Sequence, residues 1–271
     1  MQAEQKKTKM HLRRKKIIDL LTQNGEVRID ELAKCFGTTE VTIRSDLSAL
    51  EREGALQRTT GGAIQTIRNF YNLDHLQRAH ENIEYKQQVG GAVKELIHDG
   101  ETLMINAGAT MNEVARALKT KRNLSIVTDS IIVALELSTV QTFKVILLGG
   151  TVDVQYAFTH GADALEGLEN YRADHAILSI DGISAENGLT TYHSEEAVID
   201  RSMMKRSRSV IIAADFTKIG HESFSSVSPL NQKMTLVTNE IADREELRKI
   251  SVSCENVFLT GEDCGLQRYE K

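Results

Sequence analysis

Two sets of side chains in this 271-residue chain have types and spacings that do chemistry. The first is Thr39, Glu40, Val41, Thr42, Arg44, Ser45 and Ser48, followed at once by Arg58, Thr59, Thr60, Gly61 and Gly62. Short polar side chains and one guanidinium on a helix face suit the base edges and phosphates of a DNA major groove. The second set is five small-residue loops, each following an apolar run. They are Asn106-Ala107-Gly108-Ala109-Thr110, Thr128-Asp129-Ser130, Gly149-Gly150, Asp181-Gly182 and Asp215-Phe216-Thr217-Lys218. After the fourth come Gly188-Leu189-Thr190-Thr191 and Glu195-Glu196. Backbone N–H groups and a helix N-terminus at Gly108–Thr110 can hold a phosphate or carboxylate, with the Thr110 hydroxyl as a further donor. Any one such turn is an ordinary cap, but five at corresponding strand ends predict a shared pocket.

The first set needs a three-helix scaffold. Leu12, Ile17, Ile18, Leu20 and Leu21 give a first helix its apolar side, with Asn24-Gly25 as the stop. Ile29, Leu32, Ala33 and Phe36 repeat at helical spacing behind Asp30 and Glu31, which suit a first turn. Thr39 is the expected N-cap of a third helix. There Ile43, Leu47 and Leu50 share the core face, Val41, Ser45 and Ser48 face away, and Gly54 ends the helix. Leu56 to Thr59 reads as a strand, and Gly61-Gly62 as a hairpin tip that permits positive φ. Asp46 is expected to pair with Arg44 or the wing, because a carboxylate facing phosphate would repel it.

The second set needs a parallel sheet. Candidate strands are 102–106, 124–128, 144–148, 175–180, 209–214, 234–238 and 256–260. Helical stretches fall at 112–118, 131–137, 162–171, 195–205 and 243–249. Such alternation implies an α/β fold with a mostly parallel sheet covered on both faces, whose ligands gather beyond the C-terminal strand ends.

Charge divides the chain in the same way. Residues 1–68 hold 13 Lys/Arg against 9 Asp/Glu, a balance of +4, and the remainder 20 against 29, a balance of −9. The basic cluster from Lys6 to Lys16 fits phosphate contacts or a solvated tail equally well. The cysteines Cys35, Cys254 and Cys264 form no CxxC and join no histidine cluster at metal spacing. With no signal peptide and no membrane-spanning run, they suggest a reducing cytoplasm, no metal and no cofactor. Cys35 reads as a small core residue.

Residues Val27 to Ala63 resemble the DeoR family of bacterial transcriptional regulators. The resemblance rests on Glu31-Leu32-Ala33, Thr42-Ile43-Arg44-Ser45-Asp46-Leu47, Leu50-Glu51-Arg52-Glu53-Gly54 and Gly61-Gly62-Ala63. Ser45 stands where the family has a second basic residue. The rest of the chain resembles the family's sensor domain, whose fold is related to ribose-5-phosphate isomerase and the CoA transferases. Asn106-Ala107-Gly108-Ala109-Thr110, Thr128-Asp129-Ser130, Gly149-Gly150, Gly161, Asp181-Gly182, Gly188 to Thr191 and Asp215 to Gly220 carry that likeness. It implies a phosphorylated sugar or related metabolite as ligand. The candidate ligand set is therefore Asn106, Gly108, Ala109, Thr110, Thr128, Asp129, Ser130, Gly149, Gly150, Gly161, Asp181, Gly182, Thr190, Glu195 and Lys218. Asp129 replaces a usual amide, Asp200 a common lysine, and Thr151 to Gln155 lack the family's arginine. Either one phosphate sits on the Gly108–Thr110 loop with Lys218, or the ligand is less anionic than the family norm; the first reading is preferred.

The expected organisation is a winged helix-turn-helix at 10–66, a linker and connecting helix at 67–88 and an α/β sensor domain at 89–262. The expected function is a DNA-binding repressor of a carbohydrate operon, acting as a homo-oligomer on a double-stranded operator and released by the ligand. Nothing in the residues sets the sign, so an activator stays open. The competing class is an isomerase-like enzyme using Asp181, Glu195 and Lys218 for proton transfer. An isomerase gains nothing from a DNA-binding head, so the expected class is not an enzyme.

Overall fold

The computed structural model describes residues 10, 13–14, 16–18, 20–21, 26–52, 56–64 and 81–269. Asn24, Gly25, Gly54 and most of the expected linker lie outside them. The chain divides into two compact units, Met1–Asp74 and His75–Lys271.

In the first unit the described residues between 10 and 21 are helical. Strand β1 (Glu26–Arg28), helices α1 (Ile29–Cys35) and α2 (Glu40–Arg52), and strands β2 (Gln57–Arg58) and β3 (Gly62–Ile64) follow. Ile17, Leu21, Ile29, Leu32, Ile43, Leu47, Leu50 and Leu56 close one core, joined by Val27 and Ala63. Those last two residues are partners across β1 and β3, so the sheet order is β1-β3-β2. The sequence reading has no counterpart to β1, which is too short for period-2 alternation to register. Its presence changes the role of the double glycine. Neither Gly61 nor Gly62 has positive φ, contrary to the turn expectation. Gly62 instead lets β3 approach β1, since a Cβ there would lie 1.9 Å from the Val27 carbonyl oxygen. Cys35 also departs from expectation: it is exposed rather than packed in the core.

The second unit is built on an eight-stranded sheet. Its strands are β4 (Thr102–Ile105), β5 (Ser125–Thr128), β6 (Lys144–Leu147), β9 (Ala173–Leu178), β12 (Ser207–Ala213), β14 (Met234–Asn239), β15 (Asn256–Thr260) and β16 (Gln267–Arg268). They lie in the order β16-β15-β14-β12-β9-β4-β5-β6. All pairings are parallel except β15 with β16. Alternate strand residues face opposite layers. Leu103, Ile105, Ile177 and Ile211 pack on α3 (Ile83–Glu95), α4 (Ala109–Leu118) and α5 (Ile131–Leu137). Met104, Ala176, Leu178, Val210 and Ile212 pack on α6 (Ala162–Glu169), α7 (Ser194–Arg206) and α8 (Arg244–Ser253). The strands between the two edge strands β6 and β16 are largely buried on both faces, which is why they read as near-continuous apolar runs.

Chain order places the site. From β4 the chain steps outward through β5 and β6, then returns to the other side of β4 as β9 and continues to β12. The direction reverses between β4 and β9, and a crevice opens at such a reversal. Two small additions flank it: the hairpin β7 (Thr151–Asp153) with β8 (Phe158–His160), and a three-stranded sheet of β10 (Gly182–Ser184), β11 (Gly188–Thr191) and β13 (Ser225–Ser228).

Candidate functional site

On the first unit, α2 presents the expected polar face. Thr39 caps it, its hydroxyl oxygen accepting from the Thr42 amide at 3.3 Å. The Thr39 and Thr42 hydroxyls lie 3.0 Å apart. Glu40 holds Arg44 one turn on at 3.3 Å, an exposed pair worth only a few tenths of a kcal/mol. Val41 is 76% exposed and Ser45 is exposed beside Arg44. Ser48 is placed differently from its expected outward role: it is half-buried and accepts from Arg58 Nη1 at 2.8 Å. Glu51 accepts from the Arg58 amide at 3.0 Å, so the wing strand is tied back to the helix. Thr59, Thr60 and Gly61 are exposed at the hairpin tip, closed by the Thr59 amide donating to the Gly62 carbonyl at 3.1 Å.

Asp46 pairs neither with Arg44 nor with the wing. Its buried carboxylate accepts from Arg13 Nε at 2.6 Å and Arg14 Nε at 3.0 Å. Two cations of the basic N-terminal cluster are thus part of the packing between the first helix and α2. Sequence separation of 33 residues hides this contact from any local reading.

In the second unit, the loops after β4, β9 and β12 meet around a cleft of about 320 Å³. Of the expected ligand set, Gly108, Ala109, Thr110, Asp181 and Lys218 line it. Gly108 precedes α4 with φ 148°, and a Cβ there would strike the Ser179 side chain at 2.7 Å. No side chain caps this helix and no acidic residue sits in its first turn, so its leading N–H groups are available to an anion. Lys218 projects from a short turn, Phe216–Lys218, held by the Asp215 carboxylate accepting from the Thr217 amide at 3.0 Å. Lys86, which the sequence reading missed, joins it from α3. Burial pulls the Lys86 ammonium below its ordinary pKa; Asp215 opposes that shift and Lys218 adds to it. Its Nζ donates to the Glu81 carbonyl at 2.5 Å.

The remaining expected residues stand behind or beside the cleft. Asn106 is fully buried: its Oδ1 accepts from the Ser179 amide at 2.8 Å, and its Nδ2 donates to Ser179 O at 3.0 Å and Asp200 Oδ1 at 2.9 Å. It therefore braces the cradle loop. Thr128 and Ser130 are engaged in local capping, Thr128 accepting from the Ser130 amide and Ser130 from the Val133 amide. Asp129 between them is wholly buried, with neither carboxyl oxygen hydrogen-bonded. Gly149, Gly150 and Gly161 lie on exposed turns flanking the β7–β8 hairpin. Gly182 and Thr190 tie the small sheet together, the Thr190 hydroxyl donating to the Gly182 carbonyl at 3.2 Å. Glu195 is exposed and accepts from the Ser194 hydroxyl, whereas its neighbour Glu196 lines the cleft. The Asp181, Glu195 and Lys218 trio is thus not gathered in one place.

Glu81, Asn82, Tyr156, Ser179, Thr191, Tyr192, His193, Glu196, Asp215, Thr217 and Ser223 also line the cleft. Most come from hairpins and loops folded over the sheet, where no periodicity marks them. Thr191 carried one usable signal, its place in the Gly188-Leu189-Thr190-Thr191 run. Among the described residues no cluster of His, Cys, Asp and Glu fits a metal ion, and no helix is long and apolar enough to cross a membrane.

Comparison with known proteins agrees with this two-part reading. The DeoR-like helix-turn-helix domain matches residues 13–69, and the DeoR C terminal sensor domain matches residues 81–240. The chain is 29% identical over 249 residues to the HTH-type transcriptional repressor GlcR of Bacillus subtilis, covering 92% of this chain and 96% of that protein. It is 30% identical to the glycerol-3-phosphate regulon repressor of Escherichia coli, covering 82% and 88% respectively. Among solved structures, ribose 5-phosphate isomerase A of Methanocaldococcus jannaschii aligns over 70% of this chain and all of that one, at 11% identity and a TM-score of 0.42. With a sensor match over more than half its length and a matching head, this chain belongs to the DeoR family of transcriptional regulators.

Proposed function

We propose that the chain represses transcription by binding operator DNA through the exposed face of α2 and the wing, and that a phosphorylated small molecule in the cleft releases it. The DNA-contact set is Thr39, Glu40, Val41, Thr42, Arg44 and Ser45 on the helix, with Arg58 to Gly62 on the wing and Ser48 as its anchor. Relatives named as repressors, one of them of a glycerol-3-phosphate regulon, support the sign and the ligand class. The observation that carries the ligand reading is the convergence of an uncapped helix N-terminus with Lys218 and Lys86 in one cleft. An entering phosphate dianion would restore the partly desolvated Lys86 to its ordinary charge preference.

Release requires that the ligand bind one arrangement of the protein better than another, and that DNA weaken ligand binding by the same factor. The chain acts without turnover in this reading. Asp181 hydrogen-bonds a ligand hydroxyl, and Glu195 takes no part. Function requires two or more copies to place paired recognition helices on operator half-sites. The proposed division is a head at 10–66, a connector at 67–88 whose last residues open α3 and bring Glu81 and Lys86 to the cleft, and a sensor at 89–262.

A thermal-shift screen across sugar phosphates identifies a binder, and operator release is then titrated with it. Lys218→Met is expected to lower the apparent ligand affinity ten-fold or more while leaving ligand-free operator binding intact. An unchanged affinity would remove Lys218 from the site. Turnover of the ligand to an isomer, followed by NMR, would return the protein to the enzyme class.

A further inference from the structure

The cleft is bipolar, and its second pole is unexplained by a phosphate. Beside Lys86 and Lys218 its lining carries four carboxylates: Glu81, Asp181, Glu196 and Asp215. Asp181 and Glu196 are joined through the Thr191 hydroxyl, which lies 3.2 Å from Asp181 Oδ2 and 2.5 Å from Glu196 Oε2. Behind them, out of water, stand Asp129 and Asp200. Both oxygens of Asp129 and Oδ2 of Asp200 lack any hydrogen-bond partner, and neither residue makes a salt bridge among the described residues. Buried carboxyls left in this state are costly unless something neutralises them.

The two buried acids sense each other and the cleft acids. Burial raises both pKa values most, Glu196 adds to each, and Asp129 and Asp181 add further to Asp200; the backbone N–H groups of Asp129 and Ala107 and the Asn106 amide offset only part of this. A ligand hydroxyl would offer a hydrogen bond but no charge to offset this field. A divalent metal ion is disfavoured, because no three acidic side chains stand at metal-binding geometry among the described residues. A compact ammonium with three donors needs no fixed coordination shell and serves Asp181 and Glu196 at once.

We propose that the effector is a phosphate ester that also carries an ammonium group, the class of phosphorylated amino sugars, with its ammonium held between Asp181 and Glu196. The phosphate half of this statement rests on the reading above; the ammonium half rests on the acidic pole alone. The phosphate occupies the Gly108–Thr110 cradle between Lys218 and Lys86. The ammonium then faces the carboxylates of Asp181 and Glu196 at the far side, and a cation there makes ionisation of the buried Asp129 and Asp200 less unfavourable.

The test is calorimetry on the full-length chain with pairs of probes that differ only in one hydroxyl against one ammonium. These are glucose against glucosamine 6-phosphate, galactose against galactosamine 6-phosphate, and glycerol 3-phosphate against serinol phosphate. N-acetylglucosamine 6-phosphate, free glucosamine and inorganic phosphate complete the set. In at least one pair the amine should bind ten-fold or more tightly, and N-acetylation should abolish the advantage. Glu196→Gln should bring that ratio near unity while changing the hydroxyl partner's affinity less than three-fold. Should Glu196→Gln fail to fold, Asp181→Asn is read by the amine-to-hydroxyl affinity ratio alone, which should fall toward unity. Equal or weaker binding of the amine in every pair, or a preference that survives both variants, would overturn the proposal. Binding of free glucosamine without any phosphate ester would sink the phosphate reading and leave the ammonium reading standing. Silence from every probe would sink both.

Discussion

The two units treat buried charge in opposite ways. In the head, the buried carboxylate Asp46 is matched by two guanidinium groups, and the wing's Arg58 is held by Ser48 and Glu51. In the sensor, Asp129 and Asp200 are buried and, among the described residues, neither makes a salt bridge. The head's ionic groups serve a fixed shape, one that must present the same helix face to DNA at every encounter. On the proposed reading, the sensor's buried acids are left in a state that a ligand can relieve, which suits a region that changes with occupancy.

The strongest way to break this comparison is Asp46→Ala. It strands Arg13 and Arg14 against the core, and because both are about one-fifth exposed the cost should fall near the low end for a broken buried pair, about 3 kcal/mol. Calorimetry should show the head's unfolding moved down with the sensor's transition in place; an unmoved head would mean that the arginines find water at no cost. Arg44→Ala comes next, at about 1–3 kcal/mol of operator affinity, with relaxed preference at one base pair. Uniform weakening across sequences, with a salt slope reduced by about 1, would instead make Arg44 a phosphate contact.

The smallest expected effect runs the other way. Burial and the nearby Glu196 raise the Asp129 pKa well above 3.8 in the folded chain. The folded state therefore keeps a proton that the unfolded chain has released. Stability is lost progressively as pH climbs from about 3.8 toward the raised folded value. Asp129→Asn removes that loss, so it should raise the sensor's Tm, and by more at pH 8 than at pH 5. A fall in Tm at both pH values would show that the carboxyl has a partner worth more than its burial costs.

Much of the architecture was legible because long elements bury regular faces. The strand at 256–260 and the helix at 131–137 match their expected bounds, and the other parallel strands differ by one or two residues at one or both ends. The cradle at Gly108–Thr110 and the cation Lys218 were visible for the same reason, since each follows a parallel strand. Lys86 was not, because on α3 it reads as one more polar residue of an amphipathic helix. Glu196 and Glu195 were indistinguishable in sequence; only the rotation of α7 puts one in the cleft and the other in water. Strand β1 escaped notice because three residues are too few for a period.

The residues alone determined that a winged head precedes a parallel sheet, that α2 carries hydroxyls and Arg44 on one polar face, and that small-residue loops stand at strand ends. Local spacing encodes these, because helix and strand periodicity depends only on near neighbours. The tertiary structure decided which loops share a cleft, that Asp46 serves Arg13 and Arg14, and that four carboxyls crowd one pole of the site. Those are distances between residues far apart in the chain. They follow from strand order and helix rotation, which no local pattern contains.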